Sequence, residues 1–222
     1  MSEALNILLM GFEPFEQDTV NPAWEIARAL DGWSFEAEGR TARVHGLQLP
    51  CVFGASIAAL KDAMAQLQPQ LVVCLGLAGT RNEITPERVA INIDDARIRD
   101  HAQAQPIDVP VVEGGPVAYW STLPIKAIVR DLRAAGVPAS VSNTAGTFVC
   151  NHVFYALMHA LAADGNRARG GFVHLPLLPE QSARLPGTSS MALSTQVEGI
   201  RQLLRTALTV QADVVETGGK LH

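Results

Sequence analysis

Residues 6–10 and 71–75 form short, nearly unbroken apolar runs, and each closes on a glycine, Gly11 and Gly76. A strand buried on both faces reads this way, whereas a strand with one wet face alternates polar and apolar side chains. Such strands belong in the middle of a parallel sheet, which needs helical crossovers above and below it. The rest of the chain supplies them. A helix is expected after Asn21-Pro22, with the proline at its first turn, and a second over residues 56–67, with a strand at 44–49 between them. Further along, the pattern predicts a helix at 125–135, a short strand at 139–141, a helix opening near Cys150, a strand at 171–175 and a long helix from about residue 190. The fold class is therefore α/β: a mostly parallel twisted sheet sandwiched between helices in three layers. Ligands of such folds bind beyond the carboxyl ends of the strands. Gly11-Phe12-Glu13-Pro14-Phe15, Gly76-Leu77-Ala78-Gly79 and His174-Leu175-Pro176 should all meet at that rim.

Composition narrows the class of activity. With 222 residues, 48% of them hydrophobic, the chain can bury a large core, and its 13 prolines and 18 glycines are scattered rather than pooled into a linker. One domain, 1–222, is expected. A net charge of -5 leaves no basic field for a phosphate backbone, so no nucleic-acid partner is expected. No apolar run nears the roughly 20 residues that span a bilayer, and the first ten residues lack a basic leader, which points to the cytoplasm rather than a membrane. Cys51, Cys74 and Cys150 are odd in number and too widely spaced for a disulfide framework or a metal site. Gly76 and Gly79 open no dinucleotide fingerprint and no Walker-type Gly-Lys-Ser/Thr occurs, so neither a nucleotide cofactor nor a metal is expected.

The chemistry concentrates at Ser142-Asn143-Thr144-Ala145-Gly146-Thr147-Phe148-Val149-Cys150, where a turn of small residues delivers a cysteine into an apolar helix. Val153, Phe154, Leu157, Met158 and Leu161 recur at three- and four-residue steps and so share one helix face. Cys150 then stands at the helix start, where free N–H groups and the positive dipole end favour a thiolate, lower the thiol pKa and can hold an oxyanion. The competing reading is a buried cysteine acting as a small hydrophobe.

Six histidines are available as its base. His222 is terminal, His45 falls in a strand, His101 in a polar loop, and His152 and His159 share the cysteine helix as packing or surface residues. His174 ends a buried strand before a proline, where its ring can face the rim opposite Cys150. A carboxylate is then needed to hold the imidazole tautomer. Glu87, at the edge of the apolar run Val89-Ala90-Ile91, is the candidate. Asp94, Asp95 and Asp100 are rivals, and a surface pairing of Glu87 with Arg88 is the bland alternative.

These segments resemble the pyroglutamyl peptidase I (pyrrolidone carboxyl peptidase) family of cysteine peptidases, which remove an N-terminal 5-oxoproline. The resemblance runs through Gly11 to Phe15 with Asn21-Pro22-Ala23-Trp24, Gly76 to Gly79, Ile84 to Asn92, Asp95-Ala96-Arg97, Ser142 to His152, Phe172 to Pro176 and Leu178 to Gln181. It implies Cys150 as nucleophile, His174 as general base and acid, and Glu87 as the orienting carboxylate, acting through a thioester acyl-enzyme without cofactor. It also implies Arg97 near the oxyanion and the active-site entrance, and Phe12, Phe15, Leu77, Phe148 and Val149 around the oxoproline ring. The substrates would be peptides bearing N-terminal pyroglutamate, and the assembly a homo-oligomer, a tetramer or dimer.

The chain departs from that family's pattern at the rim. Leu77 stands where glutamine is common, Thr80 where glycine is usual, Glu16-Gln17 where glycines often occur, and Arg99-Asp100-His101-Ala102 differs from a more usual proline, aspartate, asparagine sequence. Substrate preference is what these changes touch. The rival class is a nucleoside phosphorylase-like enzyme or a small-molecule binder on the same architecture, with Cys150 inert.

Overall fold

The structure, a computed structural model, describes residues 4–165 and 167–219; His222 lies outside them. In chain order the elements are β1 (Leu5–Phe12), α1 (Pro22–Leu30), β2 (Ser34–Ala37), β3 (Arg40–Leu49), α2 (Ala55–Leu67), β4 (Leu71–Leu77), β5 (Thr85–Pro86), β6 (Val89–Ile91), β7 (Ala118–Trp120), α3 (Ile125–Ala134), α4 (Val149–Ala163), β8 (Arg169–Leu175), α5 (Pro179–Ser182) and α6 (Leu193–Thr209).

Six strands form one sheet in the order β2-β3-β1-β4-β8-β5. The inner pairs β3–β1, β1–β4 and β4–β8 are parallel, and the edge strands β2 and β5 run antiparallel to their neighbours. The two apolar runs are thus the central strands. Along β1 and β4, alternate residues enter opposite cores. Ile7, Leu9, Val73 and Leu75 pack with α1, α3 and α6, while Leu8, Met10, Val72 and Cys74 pack with α2 and α4. Burial on both faces is why the sequence there does not alternate.

The α1 junction is made where the first rim motif passes it. Asn21 accepts from the Ala23 N–H and donates through its amide to the Glu13 carbonyl, capping the helix and fastening the chain after β1 to it. Gly11 is required there, since a Cβ would lie 2.1 Å from the Ala23 carbonyl oxygen.

One expected strand is absent. Residues 139–141 lie alongside β5 and the residues around it, but only isolated bridges form, Ile84 with Ala139 and Glu87 with Ser142. Pro86 and Pro138 have no N–H to donate, so the ladder is interrupted on both sides. The last helix begins at Leu193 rather than near residue 190. Sequence reading missed the β2–β3 hairpin, whose Glu38 and Gly39 both take positive φ, 52° and 72°.

Candidate active site

Cys150 is the second residue of α4, a helix laid across the β4–β8 seam. Its sulfur sits above Gly76 near the end of β4. A Cβ on residue 76 would come 3.0 Å from Sγ and 2.8 Å from the Phe172 ring, so glycine provides the space that the sulfur occupies. Gly76 is in register with His174 on β8, and paired residues of adjacent strands present the same face. Thiol and imidazole are therefore neighbours on one side of the sheet. The two side chains share no direct hydrogen bond.

The imidazole is held from behind. His174 Nδ1 lies 2.8 Å from Glu87 Oε1, and its ring leans on Phe172 at a centroid separation of 5.0 Å. A carboxylate accepts only, so Nδ1 carries a proton, and in the neutral imidazole Nε2 is the nitrogen with the lone pair. Among the described residues Nε2 has no hydrogen-bond partner. Glu87 is fully buried. Its N–H donates to the Phe172 carbonyl, which fixes the carboxylate beside β8.

The cation near Glu87 is Arg81, not Arg88. Arg81 Nη2 is 3.4 Å from Glu87 Oε1, 2.9 Å from Ser142 Oγ and 3.2 Å from the Thr144 carbonyl. Arg88 instead reaches Asn143 and the Gly218 carbonyl. Arg81 lies in an irregular loop, where no periodicity could have flagged it.

The surroundings of the thiol work against the helix start. Burial pushes the Cys150 pKa up, and Cys51, Glu87 and Cys74 push the same way, while only its own backbone N–H opposes them. The helix start does not outweigh removal from water.

Beside it opens a cavity of about 340 Å3. All six residues expected around the substrate, Phe12, Phe15, Leu77, Arg97, Phe148 and Val149, line it together with Cys150. Phe15 and Phe148 meet at 5.6 Å between ring centres. Sequence reading missed Cys51, Asp18 and Leu177 on the same wall, and gave Glu16 no more than a departure from pattern.

The rival carboxylates are engaged elsewhere. Asp100 accepts from the Phe53 and Ala104 N–H groups, and Asp95 is exposed. Asp94 pairs with His152 Nδ1 at 2.7 Å, and His152 Nε2 accepts from the Gly54 N–H at 2.9 Å. His45 bonds Asn6, His159 bonds Tyr119, and His101 bonds Glu13 while its ring packs on Phe15. His174 alone of the described histidines joins a buried carboxylate to an unbonded nitrogen beside the cysteine.

Comparison with known proteins gives one consistent result. The chain matches the pyroglutamyl peptidase family over residues 5–210. It is 59% identical to the pyrrolidone-carboxylate peptidase of Cupriavidus pinatubonensis over 97% of this chain and 99% of that protein. The corresponding protein of Bacillus cytotoxicus is 56% identical over 97% and 99%. Among solved structures, pyroglutamyl peptidase I from Bacillus amyloliquefaciens superposes with a TM-score of 0.91 at 44% identity, covering 97% of this chain and all of that one. Pyrrolidone carboxyl peptidase from Thermococcus litoralis gives 0.86 at 38% identity, over 92% and 93%.

Proposed function

The chain belongs to the pyroglutamyl peptidase family, and we propose that it hydrolyses the bond after an N-terminal 5-oxoproline with Cys150, His174 and Glu87 as its catalytic group. The observation that carries this reading is the meeting of Cys150, beside the buried His174–Glu87 pair, with a cavity walled by Phe12, Phe15, Phe148, Val149 and Leu77. A five-membered lactam is flat, uncharged and compact, with one N–H and one carbonyl, and it suits aromatic walls. An ordinary ammonium N-terminus would lose its hydration against the same walls.

Burial favours the protonated thiol, so attack is coupled to proton transfer. His174 Nε2 takes the Cys150 proton as sulfur bonds to the oxoprolyl carbonyl carbon, and the carbonyl electron pair moves to oxygen. The first N–H groups of α4 have no partner within the helix and face the developing oxyanion, with Arg97 at the mouth. When the C–N bond breaks, His174 returns the proton to the leaving amine, and a thioester remains on Cys150. Water then attacks the thioester, giving its proton to His174, and 5-oxoproline leaves as the thiol is restored. Glu87 keeps the imidazole in one tautomer and stabilises its charge during both transfers.

The direct test is stoichiometric: iodoacetamide labelling near neutral pH with peptide mapping, alongside hydrolysis of a 5-oxoprolyl amide. Modification at Cys150 in proportion to lost activity is expected. Activity that survives complete alkylation of Cys150 overturns the assignment.

The family resemblance extends this reading to a cytoplasmic homo-oligomer, a dimer or tetramer. Ile107, Val117 and Trp120 are apolar and 63%, 87% and 69% exposed, side chains of the kind such an assembly would cover. Light scattering that returns a monomer of 23.7 kDa at working concentration would overturn the assembly.

A further inference from the structure

The residue that follows the oxoproline must leave through the mouth of the substrate cavity, because the sulfur and the helix start close its inner end. A second cavity, of about 430 Å3, adjoins that mouth and shares Phe15, Glu16 and Asp18 with it. The partition between the two is thus the segment from Phe15 to Asp18.

The charges around the second cavity do not cancel. Asp18 is neutralised, bonding Arg184 at 2.7 Å and the Gln181 amide at 2.8 Å. Arg97 borders only the first cavity. Glu16 borders both, is exposed, and forms no ion pair or hydrogen bond among the described residues. Its backbone stands at φ 55°, the left-handed region in which glycine is at ease and a glutamate is strained. Its charge is felt within the pocket: after burial, Glu13 and Asp100, Glu16 is a further cause of the rise of the Cys51 thiol to about 12.

We propose that the second cavity receives the side chain of the residue after the oxoproline, and that Glu16 makes this site select cationic side chains over acidic ones. The inference rests on the peptidase reading above and adds a specificity determinant to it. Because Glu16 faces water, the preference is modest, about twofold to fivefold in kcat/KM. It weakens as salt screens the charge.

The experiment compares 5-oxoprolyl-lysine amide with 5-oxoprolyl-glutamate amide at low and at high ionic strength, in the natural chain and in Glu16→Gln and Glu16→Lys. A 5-oxoprolyl aminocoumarin, whose leaving group is uncharged, serves as reporter. The expected lysine-to-glutamate ratio exceeds one, shrinks with salt, falls towards one in Glu16→Gln and inverts in Glu16→Lys. A ratio of one in the natural chain, or a ratio that Glu16→Gln leaves in place, overturns the specificity assignment while the reporter still turns over. Failure to hydrolyse the reporter removes the peptidase reading itself, and this assignment with it.

Discussion

Two buried histidine–carboxylate pairs lie on the same side of the sheet, and only one of them leaves an imidazole nitrogen open. His174 with Glu87 and His152 with Asp94 have nearly equal separations, 2.8 and 2.7 Å, and similar burial. The difference is at the far nitrogen. His152 Nε2 is occupied by the Gly54 N–H, so that pair ties the loop after β3 to α4 and to the segment carrying Arg97. His174 Nε2 has no such occupant and stands beside a cysteine. A buried imidazole and carboxylate thus form a structural clamp when both nitrogens are bonded, and can serve as a base, the role proposed for His174, when one is left open.

The largest effect expected is at the sulfur. Cys150→Ser should lower kcat/KM by on the order of 10⁴-fold or more, since the residues of a covalent group act as a unit. Steady-state kinetics with a 5-oxoprolyl amide would check it, and undiminished turnover would falsify the whole comparison. Next comes the paired replacement. Glutamine can donate to one partner and accept from another, so it preserves the clamp but cannot act as a base. His174→Gln should cost about 10²- to 10⁴-fold in kcat, whereas His152→Gln should stay within about tenfold of the natural chain on the same scale. The reverse ranking would mean that the open nitrogen is not what matters. Removing the clamp is a stability experiment: His152→Ala leaves Asp94 buried without its partner and should cost about 3–5 kcal/mol in chemical denaturation.

Glu87→Gln sharpens the same contrast on the catalytic side. It keeps the shape and can hold the imidazole in either tautomer, so kcat should fall by roughly 10²-fold with little change in Tm. Simple unfolding, with kcat intact in the folded fraction, would assign Glu87 a structural role instead. Gly76→Ala tests the seat of the sulfur. The added Cβ meets the Phe172 ring and Sγ at 2.8 and 3.0 Å, and the crowding should destabilise by about 1–3 kcal/mol while displacing the nucleophile.

Most of the architecture was legible because strands buried on both faces announce themselves, as residues 6–10 and 71–75 do. The short strands were not: β5 holds two residues and β6 and β7 three each, below any period that a pattern can show. Cys150 and His174 were readable from their places at a helix start and a strand end. Glu87 was not separable from Asp94, Asp95 and Asp100 by spacing, because all four sit in irregular backbone whose course depends on distant pairing with residues 137–142 and 109. The resemblance to a family, not periodicity, singled it out. The burial that opposes the helix start at Cys150 was not legible, because position on a helix is local, whereas desolvation is a property of everything packed around it.

The smallest effect expected at neutral pH concerns Cys51 and Cys74, and it becomes visible only in alkali. Burial raises the Cys74 pKa from an ordinary 9.0 to about 12. Burial, aided by Glu13, Asp100 and Glu16, does the same for Cys51. Between those values the unfolded chain has lost these protons and the folded chain still holds them. The folded state then binds more protons than the unfolded one, so stability falls as pH rises from about 9 towards 12. Below 9 the contribution is fully present and flat. Cys74→Ala removes one of the two groups and should make that alkaline decline shallower, at the cost of a small packing defect that does not depend on pH. Denaturant midpoints measured across that window would separate the two, and parallel curves for both proteins would show that Cys74 does not couple folding to its proton.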